Sequence, residues 1–352
     1  MDAKTKKNIV KAIGIATGGI SAVAIAAHIS VYDKVFERYE RPDYSITPGI
    51  VCVDRLDSDT NKEEIRFYSD DVLLKGNYFT CNNAKGIVVM AHGIHGGADD
   101  YLSFVLYFLK HNFNVFSFNY KGTYDSAGDS TVGFCEALVD LDHAIDYILS
   151  NEKFNKLPLF LFGHSWGGYA VCAVLNLQGK IKACASVAGM NNGFTIISEK
   201  AEQYTGKLST PSKPFFDLYQ RFLFKNYIKY DAVKGINSCN IPIVLAHGID
   251  DKIITFNKQS IVSYQSKFTN NNIKYYIGKG FQGDHTDILY STNAVAYRKE
   301  IESEIKLLEM KKGSKLSYEE KQMFYKNVDH YKYSEVNEEL MKLIVDTFNN
   351  AL

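Results

Sequence analysis

An α/β fold, built on a mostly parallel sheet with helices on both faces, is predicted by three features of the sequence. From about residue 50 onward, short β-rich runs alternate with helical stretches, the order that layers helices over a parallel sheet. Two of these runs, Ile87-Val-Val-Met90 and Leu159-Phe-Leu-Phe162, are apolar at every position, as a strand buried on both faces must be. A chain of 352 residues, 46% of them hydrophobic, can also bury a full-sized core within one domain.

Taken in order, strands are predicted at 62–68, 72–80, 86–91, 114–119, 158–162, 182–187, 242–246 and 273–277, giving an eight-stranded sheet. Helices are predicted at 99–111, 134–150, 166–178, 256–268, 293–311 and 335–350, where apolar residues recur at three and four spacing. The run 190–238, between the sixth and seventh strands, is too long for an ordinary connection and reads as a short helical cap. Within it Phe215, Tyr219, Phe222, Leu223 and Tyr227 fall near helical spacing. That aromatic face either packs on the main domain or lines a pocket for an apolar group. Residues 312–334 are charged and tyrosine-rich, carry no motif and read as irregular.

The amino terminus is different in kind. Residues 12–32 contain no Asp, Glu, Lys or Arg, and a spanning helix needs about 20 mostly apolar residues. The stretch is rich in Ala and Gly and includes Thr17, Ser21, His28 and Ser30, so its hydrophobicity is marginal. Lys4, Lys6, Lys7 and Lys11 precede it, which favours the amino terminus inside and the rest of the chain outside the cytoplasm. The same features suit a signal peptide, or a helix packed on the domain. The expected organisation is therefore 1–45 as an apolar segment and linker, and 46–352 as the main domain with a cap at 190–238. Membrane association is the first expectation for location, with a secreted or cytoplasmic chain as alternatives.

Forty basic residues balance forty acidic ones, so no overall field gathers polyanions and nucleic acid is not an expected partner. The six cysteines are scattered singly, without a C-x-x-C pair or metal-like spacing with histidine. They read as small buried hydrophobes.

The run Leu159-Phe-Leu-Phe-Gly163-His164-Ser165-Trp166-Gly167-Gly168 passes from an apolar strand through G-x-S-x-G into the helical Tyr169-Ala-Val-Cys-Ala-Val-Leu. Such a turn lifts one serine hydroxyl above the sheet edge at a helix amino terminus, and side chains at 163 or 167 would collide with neighbouring backbone. Ser165 is thus a candidate nucleophile, and the Trp166 N–H a candidate oxyanion donor. His164 and Trp166 themselves read as residues that shape and pack the turn.

Over residues 60–290 the chain resembles the α/β-hydrolase family, in particular its monoacylglycerol lipase, lysophospholipase and serine-aminopeptidase-like members. A His-Gly pair follows the third strand in that family, and Met90-Ala-His92-Gly93-Ile94-His95-Gly96-Gly97 stands at the matching place. By that match the Ile94 N–H is the second oxyanion donor and His92 shapes the loop, while His95 could reach substrate. Asn119-Tyr120-Lys121-Gly122-Thr-Tyr-Asp125-Ser-Ala-Gly128 is similar to the family's loop after strand four but lacks its Asp-Arg.

The resemblance also implies an acid and a base in the chain order Ser, Asp, His. Ile241-Pro-Ile-Val-Leu-Ala-His247-Gly248-Ile249-Asp250-Asp251-Lys252-Ile253-Ile254 is similar to the family's H-G-x-x-D-x-x-V, with Ile254 in the last place. The register selects Asp251 over Asp250. Gly283-Asp284-His285-Thr286-Asp287 follows the eighth strand, where the family carries its base, so His285 is preferred to His330.

The expected function is hydrolysis of a carboxylic ester, a small molecule with a hydrophobic acyl group, through Ser165, His285 and Asp251 without metal or organic cofactor. An aminopeptidase-like amide hydrolase is the first alternative, and would use acids such as Glu199, Glu202 or Asp217 to hold a substrate ammonium. A non-catalytic binding protein of the same fold is the second.

Overall fold

A computed structural model describes residues 29, 30, 32–50, 52–56, 60–193 and 213–352. Its centre is one eight-stranded sheet in the order β1-β2-β4-β3-β5-β6-β7-β8. The strands are β1 (Asn61–Ser69), β2 (Val72–Thr80), β3 (Ile87–Ala91), β4 (Asn114–Phe118), β5 (Leu159–His164), β6 (Ile181–Val187), β7 (Ile243–Gly248) and β8 (Ile273–Gly278). β1 and β2 form an antiparallel hairpin, β2 meets β4 antiparallel, and every other pairing is parallel. All eight predicted strands are present, with ends shifted by a residue or two.

Position in the sheet explains each strand's composition. β3, β4 and β5 are buried at every residue, which accounts for their unbroken apolar runs. In the edge strand β1 only Ile65, Phe67 and Ser69 are buried, so polar and apolar residues alternate there.

Helices α1 (Leu102–Lys110), α2 (Glu136–Ser150) and α3 (Trp166–Ala173) follow β3, β4 and β5. The cap helix α4 (Lys213–Phe224) and the short α5 (Ala232–Asn237) come between β6 and β7, and α6 (Thr292–Lys312) follows β8. One sheet face is covered by α2 and α3, whose Leu138, Leu141, Ile145, Val171 and Val174 join Ile87, Val89 and Leu161. The other is covered by α1, α6 and the carboxyl-terminal helix, where Phe104, Phe108, Val295, Ile344 and Phe348 meet Val88, Phe160 and Phe162.

Two predicted elements differ. The helix expected at 256–268 is a turn followed by a 3-10 segment, Ile261–Lys267. The Thr255 carbonyl accepts from the amides of Lys258, Gln259 and Ser260 at 3.0–3.3 Å, and this closes the chain into a turn instead of a regular helix. Residues 312–334, expected to be irregular, contain the helices α7 (Tyr318–Tyr325) and α8 (His330–Tyr333) before the last helix, α9 (Glu338–Asn349). Ser317 and Glu320 start α7 with a reciprocal capping box.

The expected cap falls partly outside the described residues, since 194–212 are not among them. Its last part, α5, packs on α3: a Cβ on Gly235 would stand 1.9 Å from the Cys172 carbonyl oxygen. The apolar segment 12–32 also lies outside the described residues apart from Ile29, Ser30 and Tyr32. Among the described residues no helix is long and apolar enough to cross a membrane.

From residue 29 onward the chain is held against the domain. Ile29, Tyr32 and Phe36 are buried in the core. The Tyr32 hydroxyl accepts from the Phe134 amide at 3.0 Å and donates to Gln220 of α4 at 2.9 Å. Thr131 N–H donates to the Phe36 carbonyl at 2.8 Å, and Tyr39 exchanges bonds with Gly122 and Tyr124, each at 2.9 Å. The stretch expected as a linker is a strap over the loop after β4.

Candidate active site

β5 ends in the Gly163-His164-Ser165 turn, and its tightness follows from the backbone. A Cβ on Gly163 would stand 2.3 Å from the Gly167 carbonyl oxygen, and one on Gly167 would stand 2.0 Å from that of Ala91. Both glycines are therefore required by close approach. Ser165 has φ 56° and ψ −114°, an unfavourable conformation for a residue with a Cβ. The surrounding packing imposes it, and α3 begins immediately after.

The structure brings Ser165, His285 and Asp251 together. Ser165 Oγ is 2.8 Å from His285 Nε2, and His285 Nδ1 is 2.6 Å from Asp251 Oδ2. With Nδ1–H donating to the carboxylate, Nε2 is free to accept the serine proton. All three residues are buried.

Asp251 is placed by the turn after β7. Its Oδ1 accepts from the amides of Ile253 and Ile254, each at 2.8 Å. Its Oδ2 lies 3.0 Å from His247 Nε2 as well as beside His285. Burial pushes this carboxyl up, but the hydrogen bonds from His247 and His285 outweigh it and hold Asp251 below the usual carboxylate range. Neighbouring Asp250 is exposed.

The loops carrying Asp251 and His285 are joined through backbone. Asp250 N–H donates to the Gly283 carbonyl at 2.9 Å, and a Cβ on Gly248 would meet that same oxygen at 2.1 Å. Asp284 accepts from the His285 amide at 2.7 Å. His330 sits in α8, against α6.

The loop after β3 lies beside Ser165, with the Gly93 Cβ position 3.5 Å from the Ser165 Cβ. Among the described residues no protein acceptor engages the Ile94 or Trp166 amide. Ile94 directly follows Gly93 in that loop and Trp166 directly follows Ser165, so both amides stand as candidate donors.

His92 uses both ring nitrogens, donating from Nδ1 to the Gly93 carbonyl at 2.8 Å and accepting from Tyr120 N–H at 3.2 Å. Burial pushes it down to about 4, so it holds the loop as a neutral ring. His95 Nε2 donates to the Val35 carbonyl at 2.8 Å, a contact with the strap.

The loop after β4 shows what replaces the missing Asp-Arg. Asn119 Oδ1 accepts from Ala98 N–H at 2.8 Å, so an amide oxygen serves as the acceptor. Lys121 pairs with buried Glu136, and its amide donates to Asp140 at 2.7 Å.

Three further side chains belong to this neighbourhood. Tyr101 and His164 link the loop after β3 to the loop that carries His285, and His247 supports Asp251. His247 was visible as the first residue of H-G-x-x-D; Tyr101 had no sequence signal. Among the described residues no cluster of His, Cys, Asp and Glu could hold a metal ion.

Comparison with known proteins points the same way as the fold. Residues 82–211 match the family model described as serine aminopeptidase, S33. The protein called YfhR is 29% identical over 173 residues in Escherichia coli O157:H7 and 28% identical over 173 residues in E. coli K12, each covering 49% of this chain. The aligned part spans about half the length of these curated relatives, 55% in both. Among solved structures, the Pyrococcus furiosus esterase Pf2001 superposes with a TM-score of 0.54 at 16% identity, covering 78% of this chain and 98% of its own. A second crystal form of it gives 0.51 at 17% identity, covering 72% and 93%.

Proposed function

We propose that this chain is a serine hydrolase of the α/β-hydrolase type and that its reaction is cleavage of a carboxylic ester bearing a hydrophobic acyl group, through an acyl-enzyme on Ser165. The observation that carries this is the line from Ser165 Oγ through His285 to Asp251, with contacts of 2.8 and 2.6 Å. His285 takes the hydroxyl proton as the serine attacks the carbonyl carbon, and the oxyanion falls to the Ile94 and Trp166 amides. His285 then gives its proton to the leaving alkoxide. Water, deprotonated in turn by His285, releases the acid.

The acyl preference is supported by the apolar surroundings of the turn. Trp166 packs against Phe36, Tyr120 and Phe134 with centroids 5.2–6.4 Å apart. The aminopeptidase reading draws on the matched family's description. It needs a free acid for the substrate ammonium, but Asp217 is paired with Arg221 at 2.6 Å, and Glu199 and Glu202 lie outside the described residues.

The test is turnover by the full chain in detergent of p-nitrophenyl esters of graded acyl length, alongside aminoacyl anilides. Ester cleavage that falls by roughly 10⁴-fold or more in Ser165→Ala is expected, together with fluorophosphonate labelling of the wild type alone. Turnover of anilides only would transfer the reading to the peptidase, and an unlabelled Ser165 to a binding protein. We place the chain at a membrane through residues 12–32, with the catalytic domain outside the cytoplasm; protease accessibility in intact cells tests this.

A further inference from the structure

The protons on three buried groups between the oxyanion loop and the base can be assigned by elimination. Gly93 N–H lies 3.0 Å from the Tyr101 hydroxyl oxygen, and an amide only donates, so this oxygen accepts. The same hydroxyl lies 2.8 Å from His164 Nδ1. On the far side of that ring, Nε2 lies 3.1 Å from the His285 carbonyl oxygen. A carbonyl only accepts, so Nε2 carries the proton.

Burial, with His285 nearby, pushes His164 down to about 3, so the ring is neutral and Nδ1 is bare. The Tyr101 hydroxyl must then donate to Nδ1. Every bond points one way, from Gly93 through Tyr101 and His164 to the backbone of His285.

We propose that Tyr101 and His164 are positioning residues, forming a buried hydrogen-bond chain that fixes the Ile94 amide and the His285 imidazole relative to each other across the Ser165 turn. Gly93 immediately precedes Ile94, and the carbonyl held by His164 belongs to the base itself. Both ends of the chain thus meet groups that must keep register with the reacting carbonyl. A Cβ on Gly93 would stand 3.1 Å from the Tyr101 hydroxyl and 3.5 Å from His164 Nδ1, so the loop is seated closely on these two side chains. The His164 and His285 rings are 5.1 Å apart. A neutral His164 therefore avoids setting a second cation beside the imidazolium that forms when His285 takes the serine proton.

This inference rests on Ser165 being the nucleophile, and its test has an arm that does not need activity. In protein labelled with ¹⁵N-histidine, His164 is expected as the Nε2–H tautomer with a hydrogen-bonded Nδ1 across about pH 5–9. An Nδ1–H tautomer or an imidazolium in that range overturns the chain.

In the second arm, Tyr101→Phe removes one oxygen, and His164→Leu removes both ring nitrogens. Each is expected to lower kcat for a p-nitrophenyl ester by about 10- to 100-fold with KM nearly unchanged. His164→Gln, which keeps one acceptor and one donor, is expected to recover part of the loss. Folded Phe and Leu variants with kcat within about twofold of wild type, or a Gln variant no better than Leu, overturn the proposal. A wild type inert toward every ester, with the expected tautomer in place, sinks the hydrolase reading while leaving the assigned bonds standing.

Discussion

Asp251, in the turn after β7, and Asp140, in α2, are both buried carboxyl groups, and the protein pushes them in opposite directions. Asp251 is held down because the His247 and His285 hydrogen bonds, with the Ile254 amide, overcome its burial. Asp140 is pushed up because burial outweighs the charge of Lys121, the Ser69 hydroxyl and the Lys121 amide. Among the described residues its Oδ1 has no hydrogen-bond partner, and Glu136 shares the same lysine. Burial raises any carboxyl, so the donors decide the outcome. The carboxylate that receives His285 Nδ1 is given donors on both oxygens.

The contrast breaks most severely if Asp251→Asn leaves activity intact. Its expected effect is a fall in kcat of about 10³- to 10⁴-fold with the fold preserved, because the amide favours the wrong His285 tautomer. Ester turnover, with circular dichroism as the folding control, measures it.

A smaller effect sharpens the comparison by removing one donor. His247→Leu is expected to lower kcat by roughly 10-fold. It should also move the acid inactivation of folded protein to higher pH, because Asp251 loses part of what keeps it below its ordinary 3.8. The pH profiles of kcat and of thermal melting report the two changes separately.

The smallest effect is on stability alone. Asp140 holds its proton more tightly folded than unfolded, so its contribution is complete below the unfolded value of 3.8 and is lost as pH rises through the folded value. Asp140→Asn is expected to stabilise the fold by about 1 kcal/mol at alkaline pH. Ester turnover should stay within about twofold of wild type. Melting temperatures at mildly acidic and alkaline pH check the sign, and a variant less stable at alkaline pH contradicts it.

The fold was legible where the code is local. Ile87–Met90 and Leu159–Phe162 read as central strands because they are buried on both faces, and Gly163 and Gly167 read as a tight turn because neither position has room for a side chain. Asp251 and His285 were reached through motif register and chain order, and they stand within hydrogen-bond distance of one another. The roles of Tyr101 and His164 were hidden because they depend on partners distant in sequence. His164 bonds across 63 residues to Tyr101 and 121 to His285, and no spacing rule carries that information. The strap was hidden for the same reason, since Tyr32 and Phe36 are apolar in any setting and only tertiary contact shows what they cover. α7 was a missed local signal: Ser317 and Glu320 form a capping box at the spacing such a box requires.

The strap also limits how the chain can be trimmed. Phe36 lies 6.0 Å from the Trp166 ring, and Tyr32 touches Phe134 and Gln220. Anyone removing the greasy leading residues to ease purification should stop short of Ile29. Cutting at the nominal boundary near residue 46 would strip aromatic cover from Trp166, the residue that follows Ser165.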